Sequence, residues 1–152
     1  IILKHTTTNN RIFLIHGHQG DLRNDFFWWF FSFLSKFLWK PLQLFGIKDP
    51  TSPAKSFTIR IKIERRITNW VKTNKQVVIA GHTHRSIFPK NGEPPYFNTG
   101  SCVHPLCITG IEIENDNITL IKWFTNTKSN GTLFIDREIL AGPEDITNFF
   151  RF

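Results

Sequence analysis

The sequence predicts an α/β protein, and three observations carry that prediction. Two short apolar runs, RIFLI (11–15) and QVVIA (76–80), each lead into a Gly-His element, HGH at 16–18 and GHTH at 81–84. The long stretch between them has room for the helical crossovers that parallel strands require. Beyond residue 84 the texture changes to short strand-like runs split by turns, which predicts antiparallel strands. The 152 residues are the size of one domain with its own core, and 40% hydrophobic against 20% charged residues excludes a disordered chain.

Each element follows in order. RIFLI is a short strand ending at His16. FFWWFFSFLSKFLW (26–39) is an aromatic block, ~21 Å long as a helix and too short for a bilayer core of ~30 Å. Its polar positions, Asp25, Ser32, Ser35, Lys36, Lys40 and Gln43, line one helical stripe and leave a wide apolar face. Pro41 ends or kinks that helix. GIKDPTSP (46–53) is loop by its Gly, Asp-Pro and Ser-Pro signals. FTIRIKIE (57–64) alternates like a strand, yet Ile59, Ile63, Ile67, Trp70 and Val71 form a helical stripe that outlasts the alternation, so a helix over about 56–73 is preferred. QVVIA is a buried-type strand. SIF, YFN, CITGIEIE, NITLIKWF and TLFIDREIL then read as antiparallel strands, with turns at ENDN (114–117) and KSNG (128–131). GPEDITNFF (142–150) reads as a closing helix, with Pro143 early and acids in its first turn. No internal repeat is present.

The net charge of +7 invites a nucleic-acid partner, but the basic residues are scattered and dense only in ERRITNWVKTNK (64–75). A solvated helix face explains that density equally well, and a basic balance suits any anionic substrate, so no specific nucleic acid is expected. Cys102 and Cys107 make no disulfide framework. With His104 they are a weak zinc signal, and half-buried free thiols of a cytoplasmic protein are the simpler reading. No signal peptide is visible, and the absence of any methionine suggests a piece of a longer protein.

The paired histidines need a chemical account. Loops beyond the carboxyl ends of strands are where open α/β sheets place ligands, and neutral imidazole suits zinc, iron, manganese or nickel. If HTH were extended, the rings of His82 and His84 would point the same way. Gly17 and Gly81 would let backbone approach a crowded centre. A lone histidine is more often a hydrogen-bonded core residue. Two Gly-His elements of one layout, each after an apolar strand, are harder to explain by packing.

HGHQGD, then GHTHRSIFP, then YFNTGS, in that order, resemble the C-terminal half of a calcineurin-like metallophosphoesterase over roughly residues 11 to 125. The aromatic block between the motifs resembles, in texture and position, the cap of the UDP-diacylglucosamine hydrolase branch. The resemblance implies a partial α/β sandwich spanning 1–152, with a helical cap inserted at about 22–74. It implies two divalent metal ions (manganese, iron, zinc or similar) in the whole protein. His16 and His82 match ligands of the second metal and His84 a ligand of the first. His18, in branches with HGH, lies close enough to protonate the leaving group. Asn98 and Ser101 match residues that shape the loop under the site, and Asp21 could hydrogen-bond an imidazole.

The family's N-terminal D-x-H, G-D and G-N-H-D elements have no counterpart here, so the bridging aspartate is missing. The resemblance therefore implies a phosphatase or phosphodiesterase of which this chain holds only the C-terminal histidines, and the chain alone is expected to hydrolyse no phosphate ester. Substrates would be phosphorylated small molecules or lipids. The competing expectation is a non-catalytic lipid-binding module lying on membranes through 26–39, with Lys36 and Lys40 at its polar edge.

Overall fold

Sheet A is built around two short parallel strands, β2 (Arg11–Ile15) and β3 (Val77–Ala80), paired from Ile12↔Val77 to Ile15↔Ala80. The computed structural model describes residues 1–16, 57–104 and 106–152. β1 (Ile2–Lys4) lies antiparallel on the outer side of β2. β5 (Tyr96–Thr99) lies parallel on the other side of β3 and carries the two-residue β4 (Ser86–Ile87) antiparallel to it, giving the order β1-β2-β3-β5-β4. All four residues of β3 are buried, as expected of a central strand covered on both faces.

Helix α1 (Phe57–Asn74) covers one face. Its Ile63, Ile67 and Val71 pack with Val78, Ala80 and Tyr96. The helical stripe therefore wins over the strand-like alternation at 57–64, because a fourth-residue spacing buries three β-branched side chains together. Lys72 sits in the last turn, where a cation meets the negative end of the helix, and Lys75 takes φ 51°, the left-handed turn that ends many helices.

The opposite face of sheet A is covered by sheet B, a meander of β6 (Cys107–Glu114), β7 (Asn117–Thr127) and β8 (Leu133–Asp145). Ile118 of β7, with Ile146 and Phe149 of a closing 3₁₀ turn (Ile146–Phe150), packs against Ile12, Val77, Ile79 and Phe97. Phe97 is fully buried, edge-on to both Phe88 and Phe149. The described residues thus form three layers, helix, sheet A and sheet B, within the α/β class.

Several sequence expectations are corrected. YFN (β5) is antiparallel to SI of β4, as expected, but pairs parallel with β3 on its other side. The 142–150 stretch is not one helix: pairing with β7 extends β8 to Asp145, opposite Asn117. Only then does the chain turn, with the Asp145 carboxylate accepting from Thr147 N–H. The ENDN turn is confirmed as a two-residue hairpin, with Asn115 (φ 48°) and Asp116 (φ 62°) both left-handed, the geometry that matches strand twist. Of the 22–74 stretch expected as a cap, 57–74 is the helix on sheet A; the remainder lies outside the described residues, as do the aromatic block 26–39, His18, Gly17 and Asp21. No helix among the described residues is long and apolar enough to cross a membrane.

Candidate functional site

β2 and β3 run parallel, so their carboxyl ends emerge side by side, and each delivers a histidine there. The rings of His16 and His82 stand 5.2 Å apart, centroid to centroid, inclined at 68°. His16 is exposed and His82 half-buried. An open cleft of about 500 Å³ runs beside them, lined by His16, Gly81 and Thr99 together with Leu14 and Ile111.

The turn that carries His82 is strained. Thr83 N–H donates to Gly81 O at 2.9 Å across a single residue, and that residue, His82, has φ 71°. A three-residue turn with a positive central φ is the rarer, costlier kind. His84 is also left-handed, at φ 54°. The 82–84 segment is therefore not extended, and the argument that both rings must point the same way does not apply. His84 is exposed. Among the described residues, no three His, Cys, Asp or Glu side chains gather as a metal-binding group.

Beneath the turn lies a buried polar bracket. Asn98, fully buried in β5, donates from Nδ2 to Gly81 O (3.0 Å), Thr83 Oγ1 (3.1 Å) and Tyr96 Oη (3.0 Å), while its Oδ1 accepts from Gly100 N–H (3.0 Å). Two amide protons serve three acceptors, so one is shared. Thr83 is itself fully buried. Burial pushes the Tyr96 phenol up to about 12, against the lowering effect of its bond with Asn98.

The loop after Asn98 is fixed from sheet B. Ser101 N–H donates to Thr109 Oγ1 at 3.0 Å, and Thr109 N–H returns to Ser101 O at 2.9 Å. Gly100 has φ 81°, and an added Cβ would stand 2.1 Å from Thr109 Oγ1, so glycine is required there. Gly81 differs. An added Cβ would meet His16 O and Thr99 Oγ1 at 3.6 Å, ordinary contact, so close backbone approach does not demand glycine at that position.

The far end of the turn is tied to the helix. Arg85 Nε and Nη2 donate to Glu64 Oε1 (3.1 Å) and Oε2 (2.5 Å), a two-pronged pair. Glu64 is buried on α1 whereas the Arg85 side chain is about half exposed. The bond to Glu64 raises the Arg85 guanidinium above its ordinary range.

Sequence reasoning missed this pair. Its signals were Glu64 standing between buried positions of the α1 stripe and Arg85 following the second histidine directly. Cys102, after Ser101, and Cys107, at the start of β6, are free thiols. Cys102 is exposed, contrary to expectation, and Cys107 Sγ lies 3.7 Å from His104 Nδ1. His5 is structural. Its Nε2 meets Asp116 Oδ1 at 3.0 Å and ties the first turn to the β6–β7 hairpin.

No family model matches the chain, and neither a curated protein nor a solved structure matches it.

Proposed function

We propose that this chain contributes the histidine side of a divalent-metal site for phosphoester hydrolysis, of the metallophosphoesterase kind that its motifs resemble. One observation carries the reading: His16 and His82 meet at the carboxyl ends of adjacent parallel strands, with rings 5.2 Å apart. With metal–nitrogen bonds of about 2 Å, two imidazoles sharing one ion stand with their rings on the order of 5 Å apart, so the pair fits as part of a donor set. His84, two residues on, is the further donor the resemblance assigns. His18, the proton donor it assigns, lies outside the described residues.

Bound divalent ions would supply Lewis acidity and a water acidic enough to attack phosphorus near neutral pH. The chain's own residues hold and aim. His16 and His82 would offer ring nitrogens from two strand ends. The Asn98 bracket fixes the turn under His82, so the imidazole is positioned before any ion arrives. Arg85 and Glu64 fix the same loop against α1.

The test is cobalt(II) titration of the purified chain, followed by its absorption spectrum. The expected result is saturable binding, weakened at least tenfold by His16→Ala and by His82→Ala and unchanged by His5→Ala. Equal binding by all three variants would remove the assignment. Metal-dependent turnover of an aryl phosphate by the chain alone would overturn the half-site reading, because the bridging carboxylate is not among its motifs.

A further inference from the structure

A second cleft, of about 680 Å³, lies between α1 and the β4–β5 edge, and its largely apolar lining carries an excess of cations. Four cations, Arg60, Arg65, Lys72 and Arg85, face it against two carboxylates, Glu64 and Glu93. Both carboxylates are engaged. Arg85 takes both oxygens of Glu64, and Glu93 Oε2 accepts from Lys90 N–H at 2.9 Å. Among the described residues Arg60, Arg65 and Lys72 make no salt bridge.

The cleft is more than a solvated charge run. The Arg60 guanidinium lies over the Phe57 ring at 5.5 Å, and its Nε is buried with no hydrogen-bond partner. That is a desolvated donor held in place by an aromatic face. Arg65 and Lys72 are seven residues apart, two helical turns, and so share one face of α1 with a separation of about 10 Å. Thr68 and Asn69 also line the cleft, one turn beyond Arg65, and add neutral donors between the two cations. Guanidinium forks match phosphate oxygens in pairs, and a span of two turns exceeds what one phosphate group can bridge.

We propose that this cleft binds a condensed phosphate chain of two or more phosphate groups, held among the side chains of Arg60, Arg65 and Lys72. The occupant's chemistry follows from the row of donors. A single carboxylate or orthophosphate would engage one fork and leave the others unpaired. The proposal stands on α1 and its charges, independent of any metal at the histidines.

Calorimetric titration of the chain with tripolyphosphate, with chelator present throughout, tests it. The expected result is one-to-one binding at least tenfold tighter than that of orthophosphate. Arg60→Gln and Arg65→Gln should each weaken it at least tenfold, with circular dichroism unchanged. Lys128→Gln, on the distant β7–β8 turn, should leave it intact; an equal loss there would reduce the effect to the net charge of +7 and overturn the proposal. Loss of binding in His82→Ala with retention in Arg65→Gln would also overturn it, by moving the anion to the histidines. Adenosine triphosphate separates the sources. Affinity equal to that of tripolyphosphate assigns recognition to the phosphate chain alone, and tighter binding identifies a nucleotide.

Discussion

Tyr96 is the chain's only tyrosine, so phenolate absorption in the near ultraviolet reports on it alone. It is 3% exposed, and burial raises its phenol to about 12, with Glu64 adding to the rise and the Asn98 bond and Arg85 opposing it. An unfolded tyrosine titrates near ~10, so the gap of about two units corresponds to roughly 3 kcal/mol between the protonation states. The sign follows from proton binding. Between these values the folded chain keeps a proton that the unfolded chain has lost, so stability is level below about pH 10 and falls as pH rises toward 12. Phenolate should therefore appear well above pH 10, cooperatively with loss of the far-ultraviolet dichroism, whereas the same chain in denaturant should titrate near 10. Tyr96→Phe should flatten the alkaline fall by up to about 3 kcal/mol while costing about 1 kcal/mol at neutral pH through the lost bond to Asn98. Phenolate forming near pH 10 with native dichroism would refute the argument, since it would mean that water reaches the bracket.

The remaining expectations concern the same neighbourhood and its supports. Asn98→Leu strands the Gly100 N–H away from water and removes the bonds to Gly81 O, Thr83 Oγ1 and Tyr96 Oη, and should cost about 3–5 kcal/mol, read as a drop in melting temperature of roughly 6–20 °C; a loss under about 1 kcal/mol would show that the bracket is not structural. Gly100→Ala combines a left-handed φ with a contact at 2.1 Å from Thr109 Oγ1, whereas Gly131, at φ 83°, has open space around it. Urea titration should find about 1 kcal/mol lost for Gly131→Ala and about 3 for Gly100→Ala, and equal losses would contradict the packing. Asp145 is held below the usual aspartate range by its bonds with Thr147, so its contribution is present above that range and disappears as pH falls through the lowered value. Asp145→Asn should flatten the fall of the urea midpoint as pH drops through and below the ordinary aspartate range, and an unchanged slope would dismiss the cap.

What the sequence revealed depended on pattern length. The α1 stripe runs from Ile59 to Val71, more than three turns, and over that distance the helical period separates cleanly from alternation, which Phe57–Glu64 alone could not achieve. The β6–β7 hairpin was legible because Asn115 and Asp116 are residue types that tolerate left-handed backbone. β1 was not, since three exposed residues paired to β2 leave no periodic trace. The partner of β5 was hidden for a related reason. A four-residue strand has no signal for parallel against antiparallel pairing, and its place beside β3 is fixed by burying Tyr96 and Phe97 on opposite faces. Local signals misled at 142–145, where Gly-Pro-Glu-Asp has the composition of a helix start but pairing with β7 prevails. The meeting of His16 with His82 could be anticipated from two strands ending alike. The left-handed turn at His82 could not, because nothing in GHTH marks its first histidine as the residue that takes positive φ.

That turn is the point where local cost and buried polarity meet. Residues in sparsely populated backbone regions cost about 1–3 kcal/mol each, and His82 and His84 are two of them in succession. Packing gives no reason to accept this, and Asn98 and Thr83 beneath it are polar yet fully buried. The two features account for each other. Asn98 bonds to Gly81 O and Thr83 Oγ1, on either side of His82, so the amide over-determines the conformation that His82 would otherwise leave. Gly100 N–H and the Ser101–Thr109 bonds in turn anchor Asn98 to sheet B. The chain of contacts thus runs from the meander, through β5, to one imidazole beside His16. A histidine fixed this firmly beside His16 supports the proposed metal-site reading, alongside the approach of the two rings and apart from any resemblance of motifs.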